Sequence, residues 1–164
     1  MKVLAVDPGY DRVGFAVVEK AADERGHTRE HCLYSETFET NKGDELNTRL
    51  YQVGLRTGEL IREYEVEHLA IETLFFSKNH KTAMQVAQAR GTIIYQALAA
   101  GCMVHEYSPQ QIKVAVTGHG GADKQAVLQM IRQLVRLDDR KRLDDEYDAI
   151  ACGLTCLASY RMID

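Results

Sequence analysis

The sequence predicts a single α/β domain built on a mixed five-stranded sheet with flanking helices. Two short apolar runs near the start, KVLAVD and VGFAVVE, are separated by the turn residues of DPGYDR, as paired strands are. After residue 44 the apolar residues recur with helical spacing, and two further short apolar runs interrupt that pattern. At 164 residues, the chain is long enough for one domain with a sizeable core.

The first 40 residues predict three antiparallel strands. KVLAVD (2–7) and VGFAVVE (13–19) are the first two, and HTREHCLYSETFET (27–40) is the third. A polar break, KAADERG, separates the second strand from the third. Such a succession predicts an antiparallel meander.

The rest of the chain predicts helices that alternate with two further strands, parallel to the first. Ser108 followed by Pro109 marks a helix start, because serine caps helices and proline suits the first helical position. The loop TGHGGAD follows that helix. Helices are predicted at residues 44–64, 80–99, from 109, 122–137 and 145–160, and strands at 67–72 and 102–107.

The composition is that of an ordinary globular protein, with 45% apolar and 27% charged residues. No apolar run approaches the roughly 20 residues that span a bilayer, and the start reaches Asp7 too early for a signal peptide. A cytoplasmic location without membrane contact is therefore expected. The four cysteines are scattered, and we expect buried thiols rather than a zinc site.

Carboxylates stand at three informative places. Asp7 ends the first strand and Glu72 ends the fourth, while Asp145 and Asp148 lie three apart on one face at the start of the last helix. Ligands gather outside the carboxyl ends of strands in sheets of this kind. If strands one and four are neighbours, Asp7 and Glu72 lie side by side, and the last helix can bring Asp148 to them.

Converging carboxylates repel one another and require a cation to remain ionised together. Magnesium and manganese prefer oxygen ligands, and two such ions about 4 Å apart support phosphodiester hydrolysis. Four acids set aside for such a site leave 20 acids against 20 bases, so the net charge of −4 excludes no nucleic-acid partner. Taken singly, each acid is also explained as a turn residue or a helix cap.

Five segments resemble the RuvC-type Holliday-junction resolvases in order and spacing: AVDPG, AIETLFFSKN, QARG, EYSPQQIKVAVTGHGGADKQAV and DDEYDAIA. The resemblance covers essentially the whole chain. It implies an RNase H-like fold, a homodimer, and Mg²⁺-dependent paired nicking of four-way DNA junctions in homologous recombination and repair. One departure is Val13-Gly14, where the family commonly has Thr-Gly.

The resemblance also implies roles for individual residues. The acids Asp7, Glu72, Asp145 and Asp148 would be catalytic and would bind two Mg²⁺ ions, with Mn²⁺ as a substitute. Asp144 is an alternative to Asp145. Residues with implied DNA contacts are Phe75, which would stack at the junction, and Lys113 and Lys124, which would also act near the scissile phosphate.

The segment after Glu72 contains two adjacent rings, and a distorted junction offers unpaired bases for stacking. Phe75 is predicted to make that contact, whereas Phe76 is predicted to pack inward. The resemblance places helix 80–99 at the dimer interface and makes the branch-migration motor a further expected partner. Two alternatives stay open: an RNase H-like nuclease of the pre-ribosomal-RNA processing type, and a non-catalytic nucleic-acid-binding module.

Overall fold

A computed structural model describes residues 1–22, 26–74 and 80–160, without the side chains of residues 80 and 81. Eleven helices and strands are found within these ranges. In chain order they are β1 (Lys2–Asp7), β2 (Arg12–Ala22), β3 (Thr28–Glu39), α1 (Leu46–Tyr64), β4 (His68–Glu72), α2 (His80–Ala99), β5 (Met103–Tyr107), α3 (Pro109–Thr117), α4 (Lys124–Leu134), β6 (Val135–Arg136) and α5 (Asp144–Ser159).

The strands form one mixed sheet in the order β5-β4-β1-β2-β3-β6. β1, β2 and β3 are antiparallel neighbours, as the meander predicts. β4 pairs in parallel with β1, and β5 pairs in parallel with β4. Val6 lies opposite Ile71 in this register, so the residues that follow, Asp7 and Glu72, reach the same edge of the sheet.

The sheet has six strands rather than the five that the sequence predicts. The helix expected at 122–137 begins at Lys124, after Asp123 as N-cap, and ends at Leu134. Val135 and Arg136 then form β6, parallel to β3. A strand of two residues that directly follows a helical pattern is too short to show the alternation of apolar and polar residues that identifies strands. Burial of Val135 against the sheet edge decides its conformation instead.

Two apolar layers enclose the sheet. Side chains of α1 and α2 cover one face, and α5, with α3 and α4 beside it, covers the other. α5 lies unusually close to the sheet at Gly153, where an added Cβ would lie 2.6 Å from Val18 Cγ2. This close packing holds the axis of α5 against β1 and β2, and so positions its first turn.

The cysteines are free thiols, three buried and one partly buried, as predicted. Burial raises the pKa of the Cys152 and Cys156 thiols, which keeps them protonated. None of the described helices is long and apolar enough to cross a membrane.

Candidate active site

The loop after β1 fixes the position of Asp7. An added Cβ on Gly9 would lie 2.0 Å from the Arg12 carbonyl oxygen, so the tight turn requires glycine. Arg49, which is buried, forms an ion pair with Asp11 and donates a hydrogen bond of 2.9 Å to Thr40 Oγ1. The loop is therefore tied to α1 and to the end of β3.

A buried glutamate anchors the first turn of α5. Glu146 accepts hydrogen bonds from Leu143 N at 3.1 Å, from Ser35 Oγ at 2.7 Å and from Arg140 Nη2 at 2.6 Å. Burial acts to raise the pKa of Glu146, but the hydrogen bonds from Arg140 and Ser35 outweigh it and lower the pKa. An ionised Glu146 thus joins the start of α5 to β3.

The same turn distinguishes Asp145 from Asp144. An added Cβ on Gly14 would lie 2.0 Å from the Asp145 carbonyl oxygen, so Asp145 lies directly against β2. Its Oδ2 is 3.2 Å from Arg12 Nη2, yet this oxygen is buried and accepts no hydrogen bond from the described residues. The side chain of Asp144 is 78% exposed and faces Lys124. Between the two, the geometry favours Asp145 as the ligand, and its role remains a prediction.

The four predicted acids repel one another around Asp7. Burial and then the charges of Glu72, Asp148 and Asp145 raise the pKa of Asp7 to about 7. Burial, followed by the charge of Asp148, also raises the pKa of Glu72. The register of β1 and β4 and the placement of α5 therefore bring together the side chains that the sequence predicts.

The two predicted lysines lie at this cluster. Lys113 and Lys124 line a cavity of about 260 Å³ together with Glu72 and Asp148. Lys124 Nζ lies 3.3 Å from Asp148 Oδ2 and 3.2 Å from Asp144 Oδ2. Burial raises the pKa of Asp148, and the nearby Lys124 ammonium opposes this rise.

The donor chemistry of this cluster fits a hard divalent cation. Its oxygens belong to carboxylates, and one of these oxygens, Asp145 Oδ2, accepts no hydrogen bond from the described residues. Burial and then like charges raise the pKa of Asp7 to about 7, and a bound cation would offset both effects. In their present placement, however, no three or more acidic, histidine or cysteine side chains among the described residues are arranged so that they could hold a metal ion.

Part of the predicted DNA contact lies outside the described residues. Phe75, predicted to stack at the junction, and Phe76, predicted to pack inward, both fall in residues 75–79, outside the described ranges. The proposed stacking role of Phe75 stays a prediction.

Two arginines that the sequence prediction leaves out support the site. Arg90 of α2, within QARG, donates to the Glu72 carbonyl oxygen at 3.3 Å and forms an ion pair with Glu106 on β5. Arg12 forms the ion pair with Asp145. Arg90 could have been found from the sequence, because it lies in the segment QARG that carries the family resemblance. The ion pair of Arg12 with Asp145 could not, because it depends on the register of β2.

The pKa of Asp7 predicts how pH affects the metal-free protein. Between the ordinary value of 3.8 and about 7, folded Asp7 holds a proton that the unfolded chain releases. The bound proton adds to the free energy of unfolding. This contribution is complete below pH 3.8 and is lost as pH rises through about 7, by at most about 1.4 kcal/mol per pH unit. Thermal melts with chelator should show the wild type losing stability relative to Asp7→Asn across this range. A difference that is constant with pH would contradict the shift.

A mixed sheet with carboxylates at the ends of β1 and β4, faced by the first turn of a covering helix, is the architecture of the RNase H-like class. The family model described as crossover junction endodeoxyribonuclease RuvC matches residues 3–156. This chain belongs to the RuvC family of crossover junction endodeoxyribonucleases, as the resemblance predicted.

Individual relatives align with this chain over nearly the full length of both proteins. RuvC of Syntrophomonas wolfei is 38% identical over 162 residues, which cover 99% of this chain and 91% of that protein. RuvC of Moorella thermoacetica is 40% identical over 160 residues, covering 98% and 92%. Thermus thermophilus RuvC in complex with a Holliday junction substrate superposes with a TM-score of 0.89 at 30% identity, covering 99% and 96%.

Proposed function

We propose that this chain resolves Holliday junctions by paired nicks during homologous recombination and DNA repair. The observation that carries the proposal is the acidic edge, where Asp7 and Glu72 end neighbouring parallel strands and Asp148 lines one cavity with Glu72 and Lys124. The charges of Glu72, Asp148 and Asp145 add to burial in raising the pKa of Asp7. Membership of the RuvC family supports it. A non-catalytic binding module would gain nothing from such repulsion, and the pre-ribosomal-RNA type of nuclease is not favoured by the relatives.

We propose Mg²⁺, with Mn²⁺ as a substitute, as the cofactor, at two ions per site. The residues that would hold the ions are Asp7, Glu72, Asp145 and Asp148. When bound, such ions supply an activated water and stabilise the leaving oxygen. The chain itself keeps Asp7 and Glu72 fixed on adjacent strands and Asp148 on an anchored helix turn.

The cavity beside these acids suits a phosphate of the DNA backbone. Lys113 and Lys124 line it together with the carboxylates of Glu72 and Asp148. Both ammonium groups can meet phosphate oxygens, and phosphate contacts position DNA without reading its sequence. We propose that they also support the charge that develops in the transition state.

We propose a twofold homodimer through α2. This helix presents an outward stripe without charged residues, with Tyr95 70% and Met84 68% exposed. Twofold symmetry would give two equivalent sites for the two related strands of a junction. The stripe comprises Met84, Ala87, Gln88, Gly91, Tyr95 and Leu98. Coupling to a branch-migration motor is an expectation from the family resemblance alone.

Incubation with a synthetic mobile four-way junction tests the proposed function. Paired, symmetrically placed nicks are expected with Mg²⁺ or Mn²⁺, and none with chelator. A linear duplex of matched sequence serves as the control substrate. Cleavage of both substrates at similar rates, or no cleavage of the junction by folded protein, would refute junction resolution.

Lys113→Ala and Lys124→Ala are each expected to weaken junction binding and to slow the cleavage of bound junctions. Loss of one phosphate contact should reduce the slope of log K against log salt by about 0.9. Single-turnover cleavage at saturating enzyme separates the rate effect from affinity. Lys2→Ala is the matched control, because Lys2 lies at the opposite end of β1 from Asp7. A variant that binds weakly yet cuts normally when saturated has lost a positioning contact only.

Substitution by arginine refines this test. Arginine keeps the charge but replaces a compact ammonium with a planar fork. We expect Lys113→Arg to restore binding without restoring the rate. At Lys124 the same substitution should also disturb the contact with Asp148, since the guanidinium cannot occupy the same position. Full recovery of rate at both positions would show that charge alone suffices.

A further inference from the structure

An arginine-lined cavity lies at the far end of α4 from the acidic cluster, which comprises Asp7, Glu72, Asp145 and Asp148. It has a volume of about 440 Å³ and opens between α4, β6 and the start of α5. We call it the arginine pocket. Its charged lining residues are Arg132, Arg136, Arg140, Arg142, Asp138 and Asp139. Four cations thus face two anions, in a chain with a net charge of −4.

Two of the four arginines are already engaged. Arg140 donates to Glu146 and to Ser35 Oγ, and Arg142 forms an ion pair with Asp138 and donates to Ser35 Oγ at 3.0 Å. These contacts maintain the wall of the pocket and the start of α5. They also neutralise Asp138, which leaves Asp139 as the lining acid without an ion pair among the described residues.

The other two arginines are available to a ligand. Within the described residues, neither Arg132 nor Arg136 forms an ion pair, and both are exposed. Arg132 lies over the Tyr147 ring, with its guanidinium carbon 5.9 Å from the ring centroid. Stacking orients the guanidinium while leaving its N–H groups free, and such a fork matches phosphate oxygens.

α4 connects the arginine pocket to the acidic cluster. Lys124 at its start contacts Asp148, and Arg132 follows eight residues later, which corresponds to roughly 12 Å along the helix. α4 contains no acidic residue, and its exposed positions between these cations include Gln125 and Gln129. A DNA strand advances about 3.4 Å per nucleotide, so this distance corresponds to about three to four nucleotides.

We propose that the arginine pocket binds the phosphodiester backbone of the DNA arm that leaves the acidic cluster along α4. The occupant is inferred from continuity: α4 has a cation at each end and no acidic residue of its own between them, which suits a polyanion with regular spacing. The inference rests on the proposed function for the identity of that DNA. None of the residues that it newly assigns belongs to the acidic cluster.

The test combines protein variants with neutralised phosphates. Arg132→Gln/Arg136→Gln removes both free cations and should reduce the salt slope of junction binding by about 1.8, from two contacts at about 0.9 each. Methylphosphonates placed three to five nucleotides from the nick, on one arm at a time, should weaken binding to the wild type. The same substitutions should have no further effect on the double variant.

Three controls make the outcome specific. Lys2→Gln removes a cation at the opposite end of β1 from Asp7 and should leave the phosphate sensitivity unchanged. Arg132→Lys/Arg136→Lys keeps both charges and should recover most of the salt slope. Thermal melts check that each variant is folded.

Two results would overturn the inference while the wild type still cuts junctions. One is an unchanged salt slope in the double variant, which would leave the arginine pocket to a ligand other than DNA. The other is equal methylphosphonate sensitivity in wild type and variant, which would place those phosphates elsewhere on the protein. Failure of the wild type to bind or cut junctions would instead refute the proposed function.

Discussion

Asp7→Asn, Glu72→Gln and Asp148→Asn are each expected to abolish junction cleavage while leaving junction binding largely intact. Each change removes a carboxylate from a cluster in which burial and then repulsion raise the pKa of Asp7 to about 7. Loss of a negative charge that faces phosphate should, if anything, strengthen binding. The loss of rate should reach at least about 10²–10³-fold, the scale for removing one electrostatic group from an active site.

Single-turnover cleavage and binding to the same junction, measured in parallel, test this expectation. Asp144→Asn is the matched control, because Asp144 is the neighbouring acid whose side chain is 78% exposed and directed to Lys124. We expect this control to cut at close to the wild-type rate and Asp145→Asn to be inactive. Near-normal cleavage by any of the three first variants would remove that residue from the proposed metal site. A reversed order for Asp144 and Asp145 would exchange their roles.

The position of the acidic edge was predictable because it depends on local patterns. Apolar runs that end in Asp7 and Glu72 identify both strands, and parallel pairing of β1 with β4 brings the carboxyl ends of both strands to one edge. The helix N-cap at Ser108 was equally predictable. In the structure, Ser108 Oγ accepts a hydrogen bond from Gln111 N, and the Gln111 side chain accepts one from Ser108 N. The strand ends and the cap are set by residues close together in the chain, whereas the pairing of β1 with β4 joins distant segments and was predicted only as a condition.

The features that were missed depend on contacts between distant residues. Ser35 meets Glu146 across a separation of 111 residues, and nothing in either neighbourhood predicts the pair. Two adjacent aspartates, Asp144 and Asp145, look alike in the sequence. The close approach of Gly14 to the backbone of Asp145 and the exposure of the Asp144 side chain distinguish them. β6 likewise owes its strand conformation to the edge of β3. Charges alone gave no indication of the arginine pocket, because Asp138 and Asp139 lie between its arginines in the sequence.

Gly14→Ala is expected to reduce cleavage by saturating enzyme about 10²-fold while leaving the protein folded. The new Cβ would lie 2.0 Å from the carbonyl oxygen of Asp145 and 2.6 Å from its carbonyl carbon. Both are backbone atoms, so no side-chain rotation relieves the contact, and the first turn of α5 must move away from β2. A displacement of about 1 Å at a catalytic group can cost a factor of that size. Overpacking of this kind costs about 1–3 kcal/mol of stability.

Gly153→Ala is the matched control for Gly14→Ala. It also forces α5 away from the sheet, since its Cβ would lie 2.6 Å from Val18 Cγ2, but the contact lies more than two turns from Asp145. Thermal melts should therefore show similar losses of stability for both variants. Single-turnover cleavage should fall much further for Gly14→Ala, because only that change acts on the backbone of Asp145. Equal rates in the two variants would mean that the start of α5 can move without harm, and Asp145 would then have no role that depends on its position beside β2.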